Sequence, residues 1–299
     1  MKPLIYAFPG DESFARRLTL ATDMQPGHFE FRRFPDGESL ITLHDDCAGR
    51  EVILCCSLKD ADAKTLPLYF LSTTARELGA ERVGLVAPYL AYMRQDQRFH
   101  AGQSRSAHSY AELLSTMFDW LVTVDPHLHR IHSLDEIYSI PTIAVSAMPA
   151  VAEWVSNHVV HPVLIGPDAE SNQWVERVAH TIGAPCIVLQ KVRHGDRHVE
   201  VSPLDPELVR NRTPIVLDDI ASSGRTFVEV LKKLRGAGVH DATCIAVHAL
   251  FAGAAEDDLR AAGASRIIST NTVPHATNAI DVAALVSEAI AAIASKTSP

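Results

Sequence analysis

A chain of 299 residues with 47% hydrophobic and 21% charged residues has the composition of a soluble α/β protein; neither a disordered chain nor a membrane protein fits it. The formal net charge of −9 argues against a nucleic-acid-binding surface, which needs a basic excess, so an anionic ligand has to be met by local cations or backbone amides. No apolar run reaches the roughly 20 residues of a membrane-spanning helix, and "MKPLIYAFPGDESF" lacks the apolar core and cleavage site of a signal peptide, so a cytoplasmic location and no membrane partner are expected.

In chain order, "FEFRRF" (29–34) and "ESLITL" (38–43) flank an Asp-Gly pair and read as a hairpin. Strand-like runs then alternate with amphipathic helices: "EVILCCS" (51–57), a helix over 65–80, "RVGLVAPYL" (82–90), a helix over 106–118 and "WLVTVDP" (120–126). A second series follows: a helix over 148–159, "PVLIGPD" (162–168), a helix over 171–183, "CIVLQKV" (186–192), "HVEVSP" (198–203), "TPIVLDD" (213–219), a helix over 226–237, "ATCIAVHALF" (242–251), "RIISTN" (266–271) and a closing helix. This alternation predicts an α/β fold of two similarly built Rossmann-like halves, each a mostly parallel sheet flanked by helices.

The uncharged "SIPTIAVSAMPA" (139–150) carries two prolines and marks the break, giving domains 1–145 and 146–299, with the final helix free to pack back on the first. The polar "HAGQSRSAHS" (100–109) and "KVRHGDRH" (191–198) are the candidate mobile loops. Five cysteines show neither metal-ligand spacing nor disulfide density and read as buried free thiols.

The stretch "PIVLDDIASSGRT" (214–226) carries the sharpest chemical signal. Ligands of open parallel sheets bind beyond the carboxyl ends of the strands, and Asp218 and Asp219 fall at the C-terminal end of the strand predicted over 213–219. The loop formed by Ala221, Ser222, Ser223, Gly224, Arg225 and Thr226 leads into a helix N-terminus, whose amides and dipole favour an anion. Two acceptor carboxylates beside a phosphate cradle suit a sugar phosphate, its hydroxyls donating to Asp218 and Asp219. A strand end followed by a Ser or Thr helix cap would account for Thr226 but not for the paired aspartates.

This loop resembles the signature of proteins that bind 5-phosphoribosyl 1-pyrophosphate (PRPP), shared by type I phosphoribosyltransferases and the ribose-phosphate diphosphokinases, or PRPP synthases. The loop alone does not choose between them. "RFPDGES" (33–39), "PYLAYMRQDQRF" (88–99), "TVDPHLH" (123–129), "IGPDAESNQWVERVA" (165–179), "LQKVRHGDRHVEV" (189–201) and "STNTVPH" (269–275) occur in the order of the corresponding PRPP synthase segments, over both halves. A phosphoribosyltransferase would have one such half. The resemblance therefore favours the PRPP synthases, with two phosphoribosyltransferase-type domains, and within them the archaeal-type branch.

Each segment also has a chemical reading. Phe34 offers a ring to stack on adenine, and Asp36 and Glu38 accept from an amine or a ribose hydroxyl; in the family this loop reaches ATP bound to a neighbouring subunit, which implies a homo-oligomer with the ATP site at a subunit interface. Arg94 and Arg98, with Gln95 and Asp96 between them, suit triphosphate oxygens, since guanidinium groups donate in a planar fork. By resemblance His127 and Asp168 hold Mg2+, with His129 near enough to be confused with His127, and Lys191 and Arg193 stabilise the transferring pyrophosphoryl group.

The implied reaction converts ATP and ribose 5-phosphate into PRPP and AMP, by attack of the anomeric hydroxyl on the β-phosphorus. Departures from the family pattern are Gln97, where many members carry a cation, and Ser222, Ser223 and Arg225 in place of Asp, Thr and Gly. A non-catalytic regulatory homologue and a phosphoribosyltransferase stay open as alternatives; His127, Asp168, Lys191 and Arg193 argue against the first, and "RFPDGES" and "RQDQR" against the second.

Overall fold

The computed structural model describes the backbone of residues 1–189, 191–194, 198–201 and 206–297, and the side chains of 1–189 and 207–294. Two compact units emerge, one built from Met1–Ser146 together with the closing helix, the other from Ala147–Val282.

The first unit contains β1 (Leu4–Ala7), α1 (Glu12–Ala21), β2 (Gln25–Pro26), β3 (Phe29–Arg33), β4 (Ser39–Leu43), β5 (Glu51–Cys55), α2 (Ala61–Glu77), β6 (Arg82–Ala87), α3 (Ser106–Met117), β7 (Trp120–Val124) and β8 (Thr142–Val145). The second contains α4 (Met148–His158), β9 (Pro162–Gly166), α5 (Asn172–Ile182), β10 (Cys186–Val188), β11 (Lys191–His194), β12 (His198–Val201), α6 (Pro206–Val209), β13 (Thr213–Ala221), α7 (Arg225–Gly236), β14 (Ala242–Ala249), α8 (Ala255–Ala262), β15 (Ala264–Thr270) and β16 (Asn278–Ile280). Helix α9 (Ala283–Thr297) closes the chain.

Each unit is a parallel six-stranded sheet of the same strand order, β2-β1-β5-β6-β7-β8 in the first and β10-β9-β13-β14-β15-β16 in the second. Two antiparallel pairs, β3-β4 and β11-β12, stand apart from these sheets. The central strands are near-continuous apolar runs, such as Val52, Ile53 and Leu54 or Ile215, Val216 and Leu217, all buried, as a sheet covered on both faces demands. Helix α9 packs against α1, β7 and β8, and α4 occupies the matching place beside α5 and β16. The second compact unit ends at Val282, short of the expected 299, and the closing helix goes with the first unit, the arrangement the expectation allowed. Among the described residues, no helix is long and apolar enough to cross a membrane.

At the start of β5, Glu51 Oε1 accepts from Arg82 at 2.6 Å and from the Trp120 indole at 3.0 Å. The indole lies so close over β6 that a Cβ on Gly84 would sit 2.0 Å from its Cε2, so glycine is required there by space alone. All five cysteines are free, and four are buried; Cys186 is half-buried, a departure from the expectation of five core thiols.

At the carboxyl end of β1, Asp11 is buried, and its carboxylate accepts from the Ser57 N–H at 3.0 Å. Burial pushes this carboxyl up to about 7, with Glu12 adding to the shift and Lys64 and the Ser57 N–H opposing it. The Lys64 ammonium donates to the Ser57 carbonyl at 2.5 Å. Between the ordinary carboxylate range and about pH 7, the folded protein therefore keeps a proton that the unfolded chain has lost, and stability falls as pH rises through that window. Thermal unfolding at pH 5 and pH 8 is expected to show a drop in midpoint that is smaller in Asp11→Asn than in the wild type; equal drops would remove Asp11 as its source.

Candidate functional site

The second unit gathers its polar residues at the carboxyl ends of β9 and β13. Strand β9 runs into Pro167 and Asp168, and Asp168 opens a tight 3-10 turn. One carboxylate oxygen accepts from the N–H groups of Glu170 (3.1 Å) and Ser171 (3.4 Å), while the buried Ser171 hydroxyl donates to the Asp168 carbonyl at 2.6 Å. The loop thus fixes the direction of its own carboxylate, an arrangement that short polar side chains favour at turn starts.

Strand β13 extends further than its sequence pattern indicates. Ladder pairing with β14 continues through Ile220↔His248 and Ala221↔Ala249, so the strand predicted to end at Asp219 runs two residues further and the aspartates lie short of its end. Asp219 is buried, Asp218 is half-buried, and an Asp218 oxygen accepts the Asp219 N–H at 3.1 Å. Burial holds the Asp218 carboxyl well above the usual range, and the negative charges of Asp219 and then Asp168 push it further. Three carboxyl groups sharing one sheet edge repel one another; a cation or a set of hydroxyl donors relieves that repulsion.

The loop after β13 is pinned from behind by main chain. The Ala221 carbonyl accepts from the N–H groups of Leu250 (3.1 Å) and Phe251 (2.8 Å), and the Ser222 carbonyl from Ala252 (3.0 Å). Gly224 then turns into α7 with φ +69°, a left-handed conformation natural to glycine, and a Cβ there would lie 2.4 Å from Leu259 Cδ1 of α8. The helix starts one residue before its predicted position: Gly224 is the boundary residue and Thr226 sits inside the first turn. Gly224 has no side chain to cap that turn, so the loop presents backbone amides at a helix N-terminus. Ser223 and Arg225 are exposed beside it, and Ser222 and Thr226 are half-buried.

Lys191 and Arg193 lie on β11, whose backbone pairs Lys191↔Val201 and Arg193↔Val199 with β12. Their side chains fall outside the described residues, as do Gly195, Asp196 and Arg197 at the tip of the loop read as mobile.

In the first unit the candidate residues occupy three places. Phe34 to Glu38 form the turn of the β3-β4 hairpin, closed by the Phe34 N–H on the Glu38 carbonyl (2.8 Å) and the Gly37 N–H on the Phe34 carbonyl (2.9 Å). Asp36 is partly engaged in the turn, accepting the Glu38 N–H at 3.1 Å, and the Arg32 guanidinium lies 4.7 Å from the Phe34 ring centre. Asp36 and Glu38 are exposed and Phe34 is half-buried, so a well-formed turn also offers its side chains outward.

Beyond β6, Arg94, Gln95 and Arg98 are exposed, whereas Asp96 is buried and both its oxygens accept from Arg130 Nη1, at 3.0 and 3.1 Å. The sequence groups Asp96 with its neighbours as a ligand contact; in the fold its carboxylate anchors Arg130, whose guanidinium also lies 5.6 Å from the Phe99 ring centre. The Arg98 Nε donates to the Gln103 carbonyl at 2.8 Å. Arg130 and Gln103 escaped the sequence reading because their partners are set by the fold. The loop read as mobile over 100–109 is in part the first turn of α3.

His127 follows β7, its ring 4.3 Å from that of His129 in an edge-to-face arrangement, so geometry keeps both histidines at the same place.

The N-terminal domain of ribose phosphate pyrophosphokinase matches residues 4–117, and a phosphoribosyl transferase domain matches residues 133–285. A ribose-phosphate pyrophosphokinase of Methanopyrus kandleri is 34% identical over 279 residues, covering 92% of this chain and 94% of the relative. The protein of that name from Halobacterium salinarum is 32% identical over 281 residues, covering 93% and 97%. The crystal structure of phosphoribosylpyrophosphate synthetase from Mycobacterium smegmatis superimposes with a TM-score of 0.84 at 22% identity, covering 99% of this chain and 100% of that one, and it shares the fold. The chain belongs to the ribose-phosphate pyrophosphokinase family.

Proposed function

We propose that this protein transfers the β,γ-pyrophosphoryl group of ATP to the 1-hydroxyl of ribose 5-phosphate, giving PRPP and AMP. The observation that carries the reading is the edge of the second sheet, where the Asp218–Asp219 pair runs directly into a backbone cradle that opens on α7. Carboxyl groups accept sugar hydroxyls, and the amides at the helix N-terminus receive the 5-phosphate. In the reaction the sugar's O1 bonds to the β-phosphorus and gives up its proton to solvent, the bond from that phosphorus to the α,β-bridging oxygen breaks, and AMP leaves with the electron pair.

Such a transfer is accelerated chiefly by positioning and by neutralising charge. Asp168, with its carboxylate aimed by its own turn amides and set near two further carboxyl groups, suits a hard divalent cation. We assign Mg2+ to Asp168 and His127, where it would screen and orient the phosphate oxygens. Lys191 and Arg193 are assigned to the charge that develops on the transferring group. Phe34, Asp36 and Glu38 at the hairpin tip, with Arg94, Gln95 and Arg98, are assigned to ATP, and the exposure of that tip supports a neighbouring copy of the chain as its recipient. Asp96 serves this group indirectly, by holding Arg130.

Incubation with Mg·ATP and ribose 5-phosphate, followed by separation of the nucleotides, should yield AMP in step with PRPP and only when the sugar is present. ADP would mean transfer of a single phosphoryl group, and no turnover with ATP still bound would favour a non-catalytic homologue. Lys191→Ala is expected to leave ATP affinity within about twofold and to lower turnover by roughly a thousandfold; an unchanged rate would take Lys191 out of the chemistry. Gly224→Ala, which meets both the left-handed strain and Leu259, is expected to raise the KM for ribose 5-phosphate more than that for ATP.

A further inference from the structure

The carbonyls of Ala221 and Ser222 are held by the N–H groups of Leu250, Phe251 and Ala252, so the geometry of the loop is inherited from a strap that itself has to be braced. The Phe251 ring rests against the imidazole of His275, with ring centres 4.9 Å apart. His275 is in turn immobilised by its surroundings between β15 and β16. Its N–H donates to Asn278 Oδ1 at 3.0 Å, and its Nδ1 accepts the Thr277 N–H at 3.2 Å. Asn278 then donates to the Thr270 carbonyl at 2.6 Å. Nδ1 also lies 2.9 Å from the Thr277 hydroxyl, and Nε2 lies 3.8 Å from a Glu256 carboxylate oxygen at the start of α8. The same helix carries Leu259 against Gly224, so α8 touches both the loop and the histidine behind its strap.

We propose that His275 is a positioning residue for the loop 221–224, acting through the Phe251 ring and the strap behind it. The inference rests on reading that loop as the ribose 5-phosphate cradle. His275 makes a flat wall that fixes the Phe251 ring, and with it the direction of the N–H that holds Ala221. A preorganised cradle costs less to order when ligand arrives, so its loss weakens binding of the ligand in that cradle and spares the partner bound elsewhere.

The test compares His275→Ala with His275→Phe. Both lose the Nδ1 acceptor for Thr277 and should lower the thermal midpoint alike, but only the second keeps a ring against Phe251. His275→Ala is expected to raise the KM for ribose 5-phosphate roughly tenfold with ATP KM and kcat within about twofold, while His275→Phe stays within about threefold throughout. Hydrogen exchange at amides 221–226, which needs no substrate, should quicken in His275→Ala and stay near wild type in His275→Phe. KM values that follow the thermal midpoint, or a KM unmoved in both variants, would overturn the proposal. If the wild-type protein does not use ribose 5-phosphate at all, the functional reading falls, and the exchange comparison still decides whether His275 holds the loop.

Discussion

A parallel sheet has to be covered on both faces, and this requirement orders the whole chain. Strands that run the same way cannot be joined by tight turns, so each must be followed by a crossover that lays a helix over the sheet. The connections leaving the carboxyl ends then all gather at one edge. That edge is where Asp168, Asp218, Asp219 and the loop before α7 meet in the second unit. The demand for cover also explains the end of the chain: α1, β7 and β8 need a helix that the first 146 residues do not provide, and the apolar α9 supplies it.

The two units share one strand order and differ in what they place at the same edge. Strand β5 runs into Cys55 and Cys56 where β13 carries Asp218 and Asp219. Burial pushes both thiols up, so they stay uncharged and pack as small hydrophobes. Asp11, which follows β1 as Asp168 follows β9, is buried and accepts the Ser57 N–H beside Lys64. In the first unit the sheet edge is thus filled by its own side chains. In the second unit the corresponding carboxyl groups lie close enough together that Asp219 and Asp168 add to the effect of burial in raising Asp218.

Precision at that site comes from residues that do not belong to it. Leu259 closes on Gly224, the strap 250–252 holds Ala221 and Ser222, and the turn after β9 aims Asp168. In the first unit Asp96 does similar work, as a buried carboxylate that directs Arg130. A buried charged group of this kind is tolerated because its partner is present at hydrogen-bond distance.

The sequence by itself determined the alternation of strands and helices, hence two α/β halves, and it identified the short motifs whose residues are contiguous: the hairpin tip at 34–38, the arginines at 94 and 98, and the stretch 218–226. These were legible because apolar periodicity and turn residues are local signals. Tertiary structure turned the expectation that the final helix could pack back on the first domain into a definite place for α9, and it alone decided that β13 continues past the aspartates to Ala221, that Asp96 is taken by Arg130, and that His275 stands behind a loop some 50 residues earlier in the chain. Each of these is a contact between distant segments. The free energy that selects it comes from packing and from satisfying buried polar groups, and neither is written in the neighbours of any one residue.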